Sequence, residues 1–201
     1  LQHLGGVDSL ETLRSLDGNV TTEMDLALWE VAARIRADAA ARRLLAETDT
    51  EQLVAQLRTG SLPEGVQQGL NRFLERYGMR GTGEIDLGKP RWCDDPTPVI
   101  DSLRGYVTLP DDAETPDVAF RDGRTAAAAA LRRLTNQLPR CQAAQARILA
   151  RIIRGNFGAR ETPKFTLIRV LGVLRSGLLS SGADLVAAGR LDRADDVFFL
   201  H

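Results

Sequence analysis

Apolar residues recur along this chain at the three- and four-residue spacing of an amphipathic helix, and stretches that alternate strictly, as a half-buried strand requires, are sparse. That periodicity restricts the fold to a mainly α class: an irregular multi-helix domain with long loops and few or no strands. At 201 residues the chain fits a domain of ordinary to large size, so 1–201 is expected to form one helical domain. It begins at Leu1 rather than Met and ends on the apolar run Val197-Phe198-Phe199-Leu200, as a piece of a longer polypeptide would. No internal repeat is visible.

Punctuation by cap and breaker residues divides the chain. Thr21 or Thr22 can cap a first long helix whose Met24, Leu28, Val31 and Ile35 share a face. Asp49 or Thr50 can open a short helix that ends near Gly60. Pro63 fits the first turn of another, running to Tyr77, with Gly78 as a left-handed cap. From 81 to 98 glycines and prolines accumulate without periodicity, which predicts an irregular loop of functional length. A short helix follows Pro98, and the polar, acidic stretch 108–116 reads as an exposed linker open to disorder.

Helix resumes after Asp122, and the run Ala126 to Ala130 allows a neighbouring helix to approach closely. Pro139 separates this helix from the next, expected over 140–154 and ending in the glycine-bearing turn 155–158. A last long helix starts at Thr162 and Pro163. Its Leu167, Leu171, Leu174 and Leu178 form a stripe expected to face the core.

Composition narrows the class further. A hydrophobic fraction of 43% and a charged fraction of 26% are those of an ordinary globular protein. Arg175 interrupts the longest apolar run, which argues against a membrane span. Cys93 and Cys141 have neither disulfide-framework nor metal-ligand spacing, so no metal site is expected and a reducing compartment, the cytoplasm, fits best.

The net charge of −1 hides a segregation. Residues 124–175 carry ten arginines and Lys164 against a single acid, Glu161, a net of +10, which leaves −11 for the remainder. Such asymmetry points to an anionic partner or to pairing with the acidic half. Arg140, Arg147, Arg151 and Arg154 fall on one helix face. Arg160 and Lys164 crowd the expected start of the last helix, where each cation costs about 0.3–1 kcal/mol unless something compensates. A bound phosphate, or an acid from elsewhere in the chain, would resolve that conflict. In the 81–98 loop, Glu84 and Asp86 could act as acid and base or hold Mg²⁺. A structural role, satisfying backbone N–H groups and Arg80 or Arg91, is the stronger alternative. His3 and His201 lie at the extremes, poor positions for catalysis.

Five segments in order complete the pattern: Asn19-Val20-Thr21-Thr22-Glu23-Met24-Asp25; Tyr77-Gly78-Met79-Arg80-Gly81-Thr82-Gly83-Glu84-Ile85-Asp86-Leu87; Pro90-Arg91-Trp92; Arg160-Glu161-Thr162-Pro163-Lys164-Phe165; and Gly189 to Leu200. In these the chain resembles phosphoenolpyruvate synthase-like enzymes, especially rifampicin phosphotransferases. The resemblance implies the helical acceptor-binding domain, or its C-terminal half, of an enzyme that uses ATP and Mg²⁺ to phosphorylate a histidine on another domain. That phosphate then passes to an acceptor hydroxyl. It implies that Arg160 and Lys164 stabilise phosphate charge, that Arg169, Arg80, Glu84 and Asp86 contribute to substrate binding, and that the fragment alone is inactive. The expected partners are a small-molecule acceptor and the ATP-binding and phosphohistidine domains of the same polypeptide. One departure stands out: Met79 occupies the place where the family commonly has histidine, and it cannot transfer a proton. Two rival functions remain on the residues alone, a helical module that binds anions or nucleic acid without catalysis, and an interaction domain whose charged halves pair with each other.

Overall fold

The structure, a computed structural model, describes residues 9–200. His3 and His201 lie outside the described residues. Eight α-helices and three short 3-10 segments account for the regular structure, and there is no strand among the described residues, as the periodicity requires. The helices are α1 (Val20–Ala37), α2 (Ala39–Glu47), α3 (Thr50–Thr59), α4 (Glu64–Tyr77), α5 (Thr97–Val107), α6 (Pro116–Asn136), α7 (Arg140–Gly158) and α8 (Thr162–Ala187). The chain divides into two compact units, one of Leu1–Trp29 with Pro110–Pro163, the other of Glu30–Leu109 with Lys164–His201.

In the first unit the alanine run of α6 does what its small side chains permit. Ala127 and Ala130 are buried, as is Ala143 on the adjoining α7, so the two backbones pack closely. Helix α6 begins at Pro116, earlier than the expected start after Asp122, because proline at its first turn sacrifices only an N–H that lacks a partner anyway. The N-terminal end of α1 also differs from expectation. Asn19, not Thr21 or Thr22, is the cap: its side-chain oxygen accepts from the N–H groups of Thr21 and Thr22 at 3.0 and 3.1 Å.

The second unit holds most of the apolar core. Ile35, Leu45, Leu53, Leu70, Ile100 and Leu103 are fully buried where α5 packs against α2 and α3. Asp38 accepts from the N–H groups of Ala40 and Ala41 and so starts α2, an element that the periodicity alone does not announce. Asp49 occupies the cap position of α3, which stops at a left-handed Gly60 (φ 70°), and Pro63 precedes α4. Gly78 is right-handed (φ −62°, ψ −18°), not left-handed, because the chain turns there to run beside Cys93, whose N–H donates to the Gly78 carbonyl. The C-terminal carbonyls of α5 are gathered by Arg36, which donates to Tyr106, Val107 and Leu109; a cation at the negative end of a helix is well placed. Helix α5 starts at Thr97, and 108–115 runs as a largely exposed connection.

Two expectations about the last helices fail. The glycine-bearing turn at 155–158 does not form. Gly158 has helical dihedrals (φ −61°, ψ −41°), a 3-10 turn covers Ala159–Glu161, and Thr162 is again helical. The stretch Arg140–Ala187 is therefore continuously helical and, by length and composition alone, long and apolar enough to cross a membrane, in contrast to the expectation drawn from Arg175. The leucine stripe of α8 also faces the wrong way for a core. Leu167 and Leu174 are 51% and 52% exposed, and the buried positions are Ile168, Gly172, Arg175 and Gly182. Helix α8 is apolar nearly all round, so hydrophobicity does not select a face. Close approach does: Gly172 meets the Met79 side chain, and a Cβ at Gly182 would collide with the main-chain carbonyl of Ala194.

Gly182→Ala should therefore push apart α8 and the C-terminal segment, with a loss of about 1–3 kcal/mol in urea unfolding of the second unit. Substituting the exposed Gly177, which has open space around it, should leave the midpoint unchanged or raise it slightly.

Candidate functional site

Residues 78–96 form a succession of turns in the second unit, and the carboxylate of Glu84 organises their first half. Its Oε2 accepts from Arg80 Nε at 2.6 Å and from the Gly81 N–H at 3.3 Å, while its Oε1 lies 3.6 Å from Lys164 Nζ on α8. Glu84 is only 7% exposed, so this charge survives away from water because two cations and an amide surround it. Asp86 turns elsewhere: it accepts from the Gly88 N–H at 2.8 Å and closes the next turn. The two carboxylates thus act locally on backbone and arginine, the alternative that the loop composition favoured.

These residues border an open cleft of about 610 Å³, lined by Arg80, Gly81, Gly83, Glu84, Ile85, Asp86, Trp92 and Lys164. Its charged members are two cations and two carboxylates. Trp92 and the exposed Ile85 supply the apolar surface, and Trp92 stacks on Phe73 with ring centroids 6.3 Å apart. The arrangement suits a ligand with an apolar body and a few polar substituents.

Four of the six residues expected to form a site, Arg80, Glu84, Asp86 and Lys164, therefore share one cleft. Arg160 belongs to the first unit, where it is exposed, lies over the Phe157 ring and pairs with Glu161 at 3.4 Å. Arg169 is exposed on α8. The electrostatic conflict anticipated at the start of α8 is relieved within the chain: Glu161 answers Arg160 and Glu84 answers Lys164. It is also milder than expected, because without a glycine turn the helical backbone continues through Thr162 and its N–H donates to the Ala159 carbonyl. Met79 is used for packing, its side chain set against Gly172 of α8.

The second half of the loop is held by Arg175, which spacing alone does not single out, and it encloses a buried Arg91. Arg175 of α8 donates from Nε to Asp94 at 3.0 Å and from Nη1 to the Leu87 carbonyl, and its guanidinium lies 5.0 Å from the centre of the Phe198 ring. Arg91 is 1% exposed, with its guanidinium nitrogens unpaired among the described residues. Burial, and then the nearby Arg175, hold its pKa below the ordinary arginine value, while Glu84 and Asp94 oppose that shift. The one sequence signal for the Arg175 clasp is its position: a cation in the middle of an apolar helix needs a carboxylate, and Asp94 and Asp95 follow the Pro-Arg-Trp segment.

Residues 1–161 match the family model described as the rifampicin phosphotransferase fourth domain. The chain belongs to the rifampicin phosphotransferase family. It is 33% identical over 223 residues to a rifampicin phosphotransferase of Streptomyces sviceus, covering 98% of this chain and 23% of that protein. Rifampicin phosphotransferases of Bacillus subtilis and Bacillus cereus are each 28% identical, over 98% and 99% of this chain and 23% and 24% of their own length. The chain thus spans about a quarter of the curated relatives it matches. Helix α8, which carries Lys164 and Arg175, lies beyond the matched family segment but within the span aligned to these relatives.

Removing the Glu84 carboxylate should loosen the loop. Glu84→Ala leaves Arg80 and the Gly81 N–H without their acceptor and should cost about 2–3 kcal/mol in urea unfolding. Glu84→Gln, whose amide oxygen can still accept, should cost distinctly less. Equal losses in the two variants would show that the ion pairing, and not the acceptor geometry, holds the loop.

Proposed function

We propose that this chain is the helical acceptor-binding part of a multidomain phosphotransferase of the rifampicin phosphotransferase type. In the whole polypeptide, ATP and Mg²⁺ supply the phosphoryl group, carried on a histidine of another domain. The acceptor hydroxyl oxygen then bonds to phosphorus as the histidine nitrogen–phosphorus bond breaks, and the hydroxyl proton is released.

The observation that carries this proposal is the placement of Lys164. It stands at the border of a cleft that combines cations with the apolar surface of Trp92 and Ile85, in a chain of this family. Its ammonium is held loosely, 3.6 Å from Glu84 and about half exposed, so it can turn towards a phosphoryl oxygen while Arg80 and the Gly81 N–H remain on Glu84. Lys164 and Arg160 then offset the negative charge on the transferring group, while Arg80, Glu84, Asp86 and Arg169 contribute to acceptor binding. Phosphoryl transfer depends mainly on such positioning and electrostatics. Rifamycins, pyruvate or another hydroxyl compound are the acceptor classes compatible with this scheme. The chain by itself is inactive, because the groups that accept phosphate from ATP lie on other domains, and the cytoplasm is the compartment where ATP is available.

In the full-length protein, Arg160→Ala and Lys164→Ala should each reduce phosphoryl transfer to the acceptor by at least about a hundredfold. Both should leave ATP-dependent phosphorylation of the histidine intact. Single-turnover assays with radiolabelled ATP separate the two steps, and normal transfer in both variants would remove the role assigned here.

A further inference from the structure

Helix α7 presents a second concentration of charge, wholly within the first unit. Arg147, Arg151 and Arg154 line an open cleft of about 530 Å³ together with Asp17, Leu131 and Gly155. They are three of the four arginines that fall on one face by spacing; Arg140, a turn or more away, does not border the cleft.

None of these arginines is neutralised by a carboxylate of its own among the described residues, and Arg154 is also held in place. Arg154 donates to the main-chain carbonyls of Thr12, Arg14 and Ser15, which fixes its guanidinium but brings no negative charge. Among the described residues Arg147 reaches only the Thr135 hydroxyl, at 3.5 Å. Arg151 is exposed and has neither a hydrogen bond nor an ion pair among the described residues. Asp17 is the one carboxylate bordering the cleft among the described residues, and it is already engaged by Arg124 at 3.2 Å. Among the described residues, three cleft arginines therefore face one acid, itself paired with Arg124. Elsewhere in the segment 124–175 four cations do find carboxylates: Arg133 pairs with Glu11, Arg160 with Glu161, Lys164 with Glu84 and Arg175 with Asp94. Arg132, Arg140 and Arg169 are exposed and likewise without an ion pair among the described residues, but this cleft is where three arginines without a carboxylate of their own come together.

We infer that the Arg147, Arg151 and Arg154 cleft is a binding site for compact phosphate-class anions, such as a pyrophosphate or the phosphate tail of a nucleotide. Planar guanidinium groups give phosphate oxygens paired N–H donors, and one fixed in advance loses little freedom on binding. The dimensions fit a small ligand, and a single walled cleft does not provide the extended cationic track that a nucleic-acid backbone needs. This site does not depend on the transfer reaction proposed above and needs no other domain.

The test is isothermal titration calorimetry of the 201-residue chain with sodium pyrophosphate at fixed, low ionic strength. A saturable site is expected, weakened at least about tenfold in the double variant Arg147→Ala, Arg151→Ala, and unchanged in Arg140→Ala. Arg154 is left in place because it ties down three carbonyls. Arg151→Lys, which keeps charge but loses the paired donors, should give a smaller loss and guards against misfolding of the double variant, checked by circular dichroism. Absence of saturable heat, an equal loss in Arg140→Ala, or an unweakened double variant would overturn the proposal. So would a duplex oligonucleotide that binds where pyrophosphate does not.

Discussion

Arg175 sits in the middle of a helix that is otherwise apolar on nearly every side, and its charge decides how that helix lies. Removing a guanidinium from water is costly, and Arg175 offsets that cost by meeting Asp94, a main-chain carbonyl and an aromatic ring. Turning Arg175 inward places Ile168, Gly172 and Gly182 on the same side. The two glycines then let α8 come close to Met79 and to Ala194. The loop at 81–98 and the C-terminal segment are thereby tied to one helix, and Lys164, three turns earlier on α8, is set beside Glu84. The cleft that the family assignment makes interesting is a consequence of this clasp.

How much of this could be read from the residues depends on the range of the interaction. Local chemistry was legible: the Asp49 position and Gly60 bound α3, Pro63 opens α4, Pro139 separates α6 from α7, and the alanine run packs closely. Asn19 and Asp38 are equally local caps that the apolar periodicity outweighed: Thr21 and Thr22 offered competing caps beside Asn19, and Asp38 precedes an alanine stretch without a strong apolar start. What periodicity could not give was the orientation of α8. In a helix with leucine, isoleucine or valine spread around its circumference, several stripes satisfy the same spacing, and the choice among them rests on a carboxylate some eighty positions earlier in the chain. The turn expected at Gly155 and Gly158 failed for a related reason. Glycine permits a turn but does not compel one, and Gly158 is needed as glycine because the chain at Asp17 passes too close for a Cβ.

The candidate site was legible in its members more than in its logic. Arg80, Glu84, Asp86 and Lys164 were named from motif and charge, and they meet. The pattern also posed the right electrostatic question, what compensates cations near the start of α8, and left phosphate and an internal acid as answers. The structure supplies the internal acid, Glu84, from a loop eighty residues away. That outcome does not remove an anion from the scheme. A lysine that is half exposed and 3.6 Å from its partner is in a weak pair, and in the proposed scheme it exchanges that pair for a stronger one with a phosphoryl group.

The segregation of charge into a basic segment looks, from composition alone, like a single electrostatic feature. In the folded chain it separates into kinds of site with different consequences. A buried arginine clamped on an aspartate fixes architecture and offers nothing to a ligand. A lysine paired loosely at the border of a cleft is available for exchange. Arginines held by carbonyl and hydroxyl oxygens keep their full charge while losing their mobility, and this combination raises affinity for an incoming anion, because the entropy of ordering the side chains has been met during folding. Counting cations therefore predicts a field, but what each one touches determines whether that field is spent inside the protein or remains for a partner.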